Sequence, residues 1–276
     1  MMTRLYLDSD MTDVEKVAVC GGLAVVSSRR SPAKEPPNED SAAVIHVNGR
    51  SGLLVVADGV GGMRSGDMAS RLAVESLRDA VTGDLGDEFP LRAAIVNGIE
   101  QANRRIMDTG IGAATTLAVL EVNGRDVRPY HVGDSTIVVT GGRGKVKWQT
   151  IPHSPVGFAV EAGILDEEEA MHHKDRHVVS NVVGSAEMRI EIGPEVRLAS
   201  QDTVVLASDG LLDNLTIDEI VARVRKGPLD QAVRRLATDS RRRMTYPEEG
   251  QPSKPDDTTI IAFRTARAMP TLSVLL

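Results

Sequence analysis

The chain is 276 residues long, 26% charged and 41% hydrophobic, with a formal net charge of -7. The excess of 39 Asp and Glu over 32 Lys and Arg excludes non-specific binding to nucleic acid, which rests on cations meeting phosphates. The single cysteine, Cys20, excludes an intrachain disulfide and a cysteine-based zinc site, and no apolar run reaches the roughly 20 residues of a membrane helix.

With aromatics at 3%, the core rests on Val, Leu, Ile, Ala and Met. The segment 1–22 is acidic at its start and lacks a basic-then-apolar leader pattern; it is set apart from a single domain spanning 23–265, with 266–276 as a short apolar tail. In chain order, β-branched runs bounded by turn residues predict strands at 23–27, 42–47 and 53–57. The Pro-rich stretch from Ser31 to Pro37 reads as a loop between the first two.

Two helices follow. Ala69, Leu72, Ala73, Leu77, Ala80 and Val81 recur at i, i+3, i+4 spacing over 67–81, and Leu91, Ile95, Ile99, Ala102 and Ile106 do the same over 91–107. Strands are predicted next at 116–122, 127–132, 136–140, 146–150, 189–192 and 203–207. Asn123-Gly124-Arg125-Asp126 marks a hairpin turn among them. Thr216 and Glu219 form a capping box ahead of a helix through Val224; another helix covers 229–237, and a last strand 259–263. Strands gathered in hairpins rather than alternating with helices argue an α+β fold with antiparallel sheets.

The carboxylates fall at strand ends. The run Leu53–Ala57 ends in Asp58-Gly59, Val204–Ser208 in Asp209-Gly210, and Tyr130–Gly133 in Asp134-Ser135. Asn38-Glu39-Asp40 and Asp256-Asp257 directly precede strands. An Asp-Gly pair after a strand also reads as a plain turn. Carboxylates gathered at one sheet edge instead repel one another and require a cation. Oxygen donors without cysteine favour Mg²⁺, Mn²⁺ or Ca²⁺ over zinc. Gly61 to Gly66 has the spacing of a phosphate loop, but Asp67 stands where that loop needs a lysine.

Taken in order, these segments resemble the bacterial members of the PP2C (PPM) metal-dependent Ser/Thr phosphatases. Ala57-Asp58-Gly59-Val60-Gly61-Gly62, Asn38-Glu39-Asp40, Thr115-Thr116, Val132-Gly133-Asp134-Ser135, Ala207-Ser208-Asp209-Gly210-Leu211 and Asp256-Asp257-Thr258-Thr259 carry the likeness. It implies an α-β-β-α sandwich, two antiparallel sheets flanked by helices, with cations in a cleft at one sheet edge. It implies that Asp58 bridges two Mn²⁺ or Mg²⁺ ions, that Asp209 and Asp256 complete the first, and that the Gly59 carbonyl serves the second. It implies that Glu39 and Asp40 hold metal-bound waters or a ligand position, and that Asp134 with Asp209 matches a third ion. Asp58, Asp209 and Asp256 are thus the catalytic set. The implied reaction is hydrolysis of phosphoserine and phosphothreonine by a metal-activated water, on protein substrates of Ser/Thr kinases. The expected protein is a cytoplasmic monomer with no membrane or nucleic-acid partner.

The chain departs from the family pattern at several places. No arginine stands just before Glu39-Asp40, so Arg29, Arg30 or Lys34 is the candidate phosphate-binding cation; His153 of Pro152-His153-Ser154 reads either as a further one or as a hydrogen-bonded structural histidine. Val60 replaces the histidine of eukaryotic members, and Asp257 replaces an asparagine. A phosphoprotein-binding module with weak catalysis and a small-molecule phosphatase on the same scaffold remain alternatives. The stretch from His172 to His177 reads as a solvated part of a flap, with a role toward protein substrates as its alternative. The arginines between Arg234 and Arg243 read as a solvated helix face.

Overall fold

A computed structural model of the chain describes residues 3–60, 65–83 and 90–266. The tail beyond Ala266 and Gly61-Gly62 of the second motif lie outside the described residues. In chain order the elements are β1 (Arg4–Leu7), β2 (Glu15–Val19), β3 (Gly22–Arg29), β4 (Asp40–His46), β5 (Ser51–Val60), α1 (Gly66–Thr82), α2 (Leu91–Met107), β6 (Ala114–Thr115), β7 (Leu117–Asn123) and β8 (Asp126–Val132). There follow β9 (Thr136–Thr140), β10 (Val146–Gln149), α3 (Pro155–Glu161), α4 (Glu167–Met171), β11 (Glu191–Ile192), β12 (Val196–Arg197), β13 (Thr203–Ala207), α5 (Asp209–Leu212), α6 (Ile217–Val224), α7 (Leu229–Thr245) and β14 (Thr258–Thr265).

The first sheet runs β1-β4-β5-β7-β8-β11, with β6 on β5 and β12 on β8; the second runs β10-β9-β13-β14-β3-β2. The pairings are antiparallel throughout. Alternate residues on a strand face opposite sides, so each sheet offers two faces to bury. Val44, Leu54, Val56 and Leu120 meet Val26, Leu206, Ile261 and Phe263 between the sheets. Ile45, Leu53, Val55 and Val119 take the stripes of α1 and α2 on the outside of the first sheet. Val205, Ile260 and Ala262 take those of α6 and α7 outside the second. This is the α-β-β-α sandwich expected from the motifs.

Both predicted amphipathic helices form. In α1 and α2 the residues Ala73, Leu77, Ile95, Ile99 and Ala102 are fully buried. Gly98 lets the two helices approach, since a Cβ there would sit 3.0 Å from that of Ala80. The capping box of α6 is present, with Glu219 N–H donating to Thr216 Oγ1 and Thr216 N–H to Glu219 Oε2.

Three features differ from the sequence reading. Segment 1–22 supplies β1 and β2, an edge strand to each sheet; such edges are short and half-polar, and carry little apolar signal. Helix α7 continues from Ala237 to Thr245, because Ser240 and Met244 carry its buried stripe beneath five arginines. The segment 151–190 holds two short helices, α3 and α4, and only Glu191–Ile192 of the strand expected at 189–192 pairs with β8. No helix among the described residues is long and apolar enough to cross a membrane.

Candidate active site

The antiparallel register of β4 and β5 sets Asp40 opposite Asp58. Asp58 is fixed from its backbone. Its carbonyl accepts from Thr116 N–H at 2.8 Å and from the Thr115 hydroxyl at 2.7 Å, and its N–H donates to Thr116 Oγ1 at 3.2 Å. Thr116 Oγ1 also lies 2.7 Å from Ser135 Oγ, which ties the turn carrying Asp134 to the same strand end. The Thr-Thr pair and Ser135 are therefore the scaffold of two carboxylates.

From the second sheet, β13 ends at Ala207 and, through Ser208 at the N-cap, delivers Asp209 into the first turn of α5, while Asp256 and Asp257 precede β14. Ser208 Oγ donates to Asp40 Oδ2 at 2.7 Å and so joins the two sheets across the cleft. Gly210 lies where any Cβ would collide with the Asp257 carbonyl, so only glycine lets α5 reach the 256–257 turn. Gly59 and Gly66 approach backbone to backbone in the same way. A Cβ at Gly66 would also meet Glu39 Oε1 at 2.7 Å and the Gly59 carbonyl oxygen at 2.9 Å. The cradle that holds these two oxygen donors thus exists because residue 66 has no side chain.

The electrostatics of the cleft are uneven. Burial pushes the Asp58 carboxyl well above the usual range, and Asp40, Asp209, Asp256 and Asp134 push it further. Burial does the same to Asp40, with Asp257 adding and the Ser208 and Thr259 hydroxyls opposing. Asp134 rises to about 7 through burial and the charges of Asp209 and Asp213. Asp209 rises to about 6 through burial and Asp213, against the pull of Lys254. Asp256 moves the other way. Burial opposes its charge, but the Lys34 ammonium at 2.6 Å and the nearby Lys254 hold it below the usual range.

In this cleft Asp40 Oδ1 and Asp209 Oδ1 are buried without a hydrogen-bond partner, and Asp213 Oδ2 meets only the Lys254 ammonium. A buried acceptor left unmade costs roughly 1–3 kcal/mol, more if charged. The donor set is carboxylates plus the Gly59 carbonyl, all hard oxygen. These residues fit Mg²⁺ or Mn²⁺, which favour oxygen donors and would satisfy both stranded atoms.

Asp257, in the place of the family asparagine, is only 2% exposed and adds no loose charge. It accepts from Ser31 N–H at 2.7 Å and from Glu39 N–H at 2.9 Å, clamping the loop before β4. Lys34 reaches the cleft, with Nζ 3.2 Å from Glu39, 2.6 Å from Asp256 and 3.7 Å from Asp257. Arg30 turns aside and pairs with Asp10, its N–H donating to Asp10 Oδ1 and its guanidinium 3.8 Å from Oδ2.

His153 is 6% exposed and is held on every side. Its Nδ1 accepts from Gly133 N–H at 3.0 Å and from the Asn181 amide at 2.8 Å, which places the proton on Nε2, 3.1 Å from Glu191. Its backbone carbonyl takes both Ser180 N–H and Ser180 Oγ–H. The ring stacks on His131 with centroids 4.3 Å apart. His131, His153 and Glu191 bring ligand-type atoms within 4.8 Å of one another. Each already has a partner, since His131 Nε2 donates to the Ile151 carbonyl. His153 thus pins the flap, residues 151–190, to the turn that carries Asp134.

Sequence reasoning missed Asp213 and Lys254. Lys254 Nζ lies 2.7 Å from both Asp209 Oδ2 and Asp213 Oδ2 and 3.3 Å from Asp256 Oδ2. The position of Asp213, one helical turn after Asp209, was the available signal. A cavity of about 570 Å³ opens beside Asp134, Asp209 and Asp213, with Val156, Val160 and Met171 of the flap on its other wall.

Residues 29–244 match the family profile described as protein phosphatase 2C. Protein phosphatase PhpP of Streptococcus pneumoniae is 32% identical over 198 residues, 68% of this chain and 78% of that protein. The serine/threonine phosphatase stp of Listeria monocytogenes is 30% identical over 184 residues, 63% and 72% of the two chains. The S. agalactiae serine/threonine phosphatase structure matches with a TM-score of 0.75 at 26% identity, covering 88% of this chain and 98% of that one. The PstP catalytic domain, solved with two manganese ions, shares the fold at a TM-score of 0.71 and 23% identity, covering 88% and 98%. With its motifs in order, its cleft assembled and most of its length matched, the chain belongs to the protein phosphatase 2C family.

Proposed function

We propose that the chain hydrolyses phosphoserine and phosphothreonine in proteins at the cleft formed by Asp40, Asp58, Asp209 and Asp256, using divalent cations. The observation that carries this is the burial of four mutually repelling carboxylates around Asp58, two of them with a stranded oxygen. Asp58, Asp209 and Asp256 would hold one ion, and Asp58 with the Gly59 carbonyl a second, Glu39 and Asp40 standing beside them. Mn²⁺ is the first choice to test because PstP is seen with it. When bound, such ions neutralise phosphoryl oxygens and acidify a water toward pH 7.

The chain's own residues do the rest. Thr115, Thr116 and Ser208 fix the carboxylates before substrate arrives, so little reorganisation is left for the reaction. Lys34, on the exposed loop at the cleft mouth, is the group we assign to the phosphate in place of the family arginine. His153 holds the flap rather than the phosphate. The flap and its cavity face the side from which a phosphoprotein would dock. Retention of every principal carboxylate disfavours a binding-only module. We further read the protein as a cytoplasmic monomer acting without membrane or nucleic acid, in keeping with its acidic charge and single buried cysteine.

The test is phosphate release from a phosphothreonine peptide, with chelator and then with Mn²⁺ or Mg²⁺, for the wild type and Asp209→Asn. Metal-dependent release that vanishes in the variant is expected. Equal or faster turnover of sugar or nucleotide phosphates would overturn the protein-substrate assignment.

A further inference from the structure

The two lysines of the cleft are built differently. Lys34 sits on an exposed loop and its side chain is 37% exposed. Lys254 is rooted. Its N–H donates to Asn214 Oδ1 at 3.1 Å and its carbonyl accepts from Asn214 Nδ2 at 2.9 Å. Asn214 is fully buried and also donates to the Gly210 carbonyl. The residue that anchors Lys254 therefore also anchors the short helix carrying Asp209 and Asp213. The ammonium then lies 2.7 Å from an oxygen of each of those two aspartates. Asp134, across the same corner, feels Asp209, Asp213 and Lys254 together.

We propose that Lys254 is a resident cation that occupies the corner between Asp134, Asp209 and Asp213 in place of a third divalent ion, so that this chain takes two divalent ions and one ammonium. The inference rests on the two-cation reading above and goes beyond it. Asp209 divides its oxygens accordingly. Oδ2 is taken by Lys254, while Oδ1, buried and unpartnered, is left to ligate an ion. A further divalent ion on Asp134 and Asp209 would stand against a fixed ammonium sharing the same carboxylate, and like charges at that range repel. The corner thus keeps a positive charge that no chelator removes and no metal shortage empties. Lys34, on its exposed loop, is the lysine that yields Asp256 and Glu39 when an ion enters.

The experiment is Mn²⁺ binding to the full chain, read from the spin-resonance signal of free Mn²⁺ during titration, with no substrate present. The wild type should bind two ions and Lys254→Arg, which keeps the charge, two as well. Lys254→Met should bind a third, at least roughly tenfold tighter than any third ion on the wild type, a step readily resolved by titration. Adding Asp134→Asn to Lys254→Met should remove it again. Lys254→Gln, which keeps a polar stem, serves if the Met variant fails to fold, and should likewise gain an ion. A wild type that binds three ions, or charge-neutral variants that gain none, would overturn the inference while leaving the two-cation reading intact. A wild type that binds no Mn²⁺ would overturn both.

Discussion

Asp40 and Asp58 come from the first sheet, and among the described residues no lysine, arginine or histidine pairs with either. Asp209 and Asp256 come from the ends of second-sheet strands and are gripped by Lys254 and Lys34. The two halves of one cleft thus solve the same repulsion in opposite ways. The first half holds its carboxyls high and is suited to an external cation; the second carries internal ones. The contrast predicts opposite answers to similar substitutions. Asp58→Asn should lower phosphopeptide hydrolysis by about 10²–10³-fold or more, the scale of losing a preorganised electrostatic group. In chelator the same change takes one carboxyl out of the crowded, buried cluster and should raise the unfolding midpoint. Asp256→Asn should also abolish turnover, yet lower metal-free stability, because it strips a partner from both lysines. Thermal unfolding in chelator reads the difference. Equal shifts for the two variants would remove the asymmetry.

A pH series sharpens it. Asp134 and Asp209, raised to about 7 and about 6, bind protons more readily folded than unfolded. Their contribution to metal-free stability is complete below the unfolded value near 3.8 and is lost as pH rises through 6 and 7. His131 runs against them. Burial and then His153 lower it to about 4, so its contribution is present above about 6.5 and lost as pH falls toward 4. Between pH 6.5 and 8 the carboxylates act alone, and the midpoint in chelator should fall with rising pH. Saturating Mn²⁺ should reverse that slope, because ligation requires the ionised carboxylates. A midpoint that climbs with pH in chelator would contradict the crowding of this corner.

His153 tests whether the cleft depends on the flap. Ala at this position removes the acceptor for Gly133 N–H and Asn181, a loss of about 1–3 kcal/mol for donors left buried. The turn carrying Asp134 should loosen and kcat fall by roughly tenfold, given how steeply rate depends on placement. A KM that rises with kcat untouched would instead mark His153 as a phosphate ligand.

Much of this was legible in sequence because it is local. The apolar spacing of α1 and α2, the capping box of α6 and the Asp-Gly strand ends need only neighbouring residues, and they gave the α+β class and the carboxylates, while the sandwich followed from the resemblance that the ordered motifs carry. What stayed hidden is long-range or paired across the fold. Edge strands β1 and β2 declare themselves only through β4 and β3. Lys254 matters because Asn214 turns it toward Asp209 and Asp213, 40 residues and more upstream. Asp257 shows in sequence only as an asparagine replaced; that it clamps two amides from the loop before β4 needs the fold. His153 kept its place in the motif order, but its partners Gly133, Asn181 and Glu191 show that it pins the flap.

The smallest expected effect concerns Lys34, the cation that moves. Its ammonium stays charged: burial works against it, but Asp256, Asp257 and Glu39 hold it above the usual lysine range. It neutralises carboxylates that an ion needs and stands at the mouth where a phosphate enters. Lys34→Met should therefore do two opposite things. The Mn²⁺ concentration for half activity should fall about threefold, since a competitor for Asp256 is gone. The KM for phosphopeptide should rise about three- to tenfold, the worth of one partly exposed charge contact. Both changes together require one side chain to serve both partners in turn. If KM stays fixed while the metal requirement drops, Lys34 is only a placeholder for the ion, and the phosphate is held by another group.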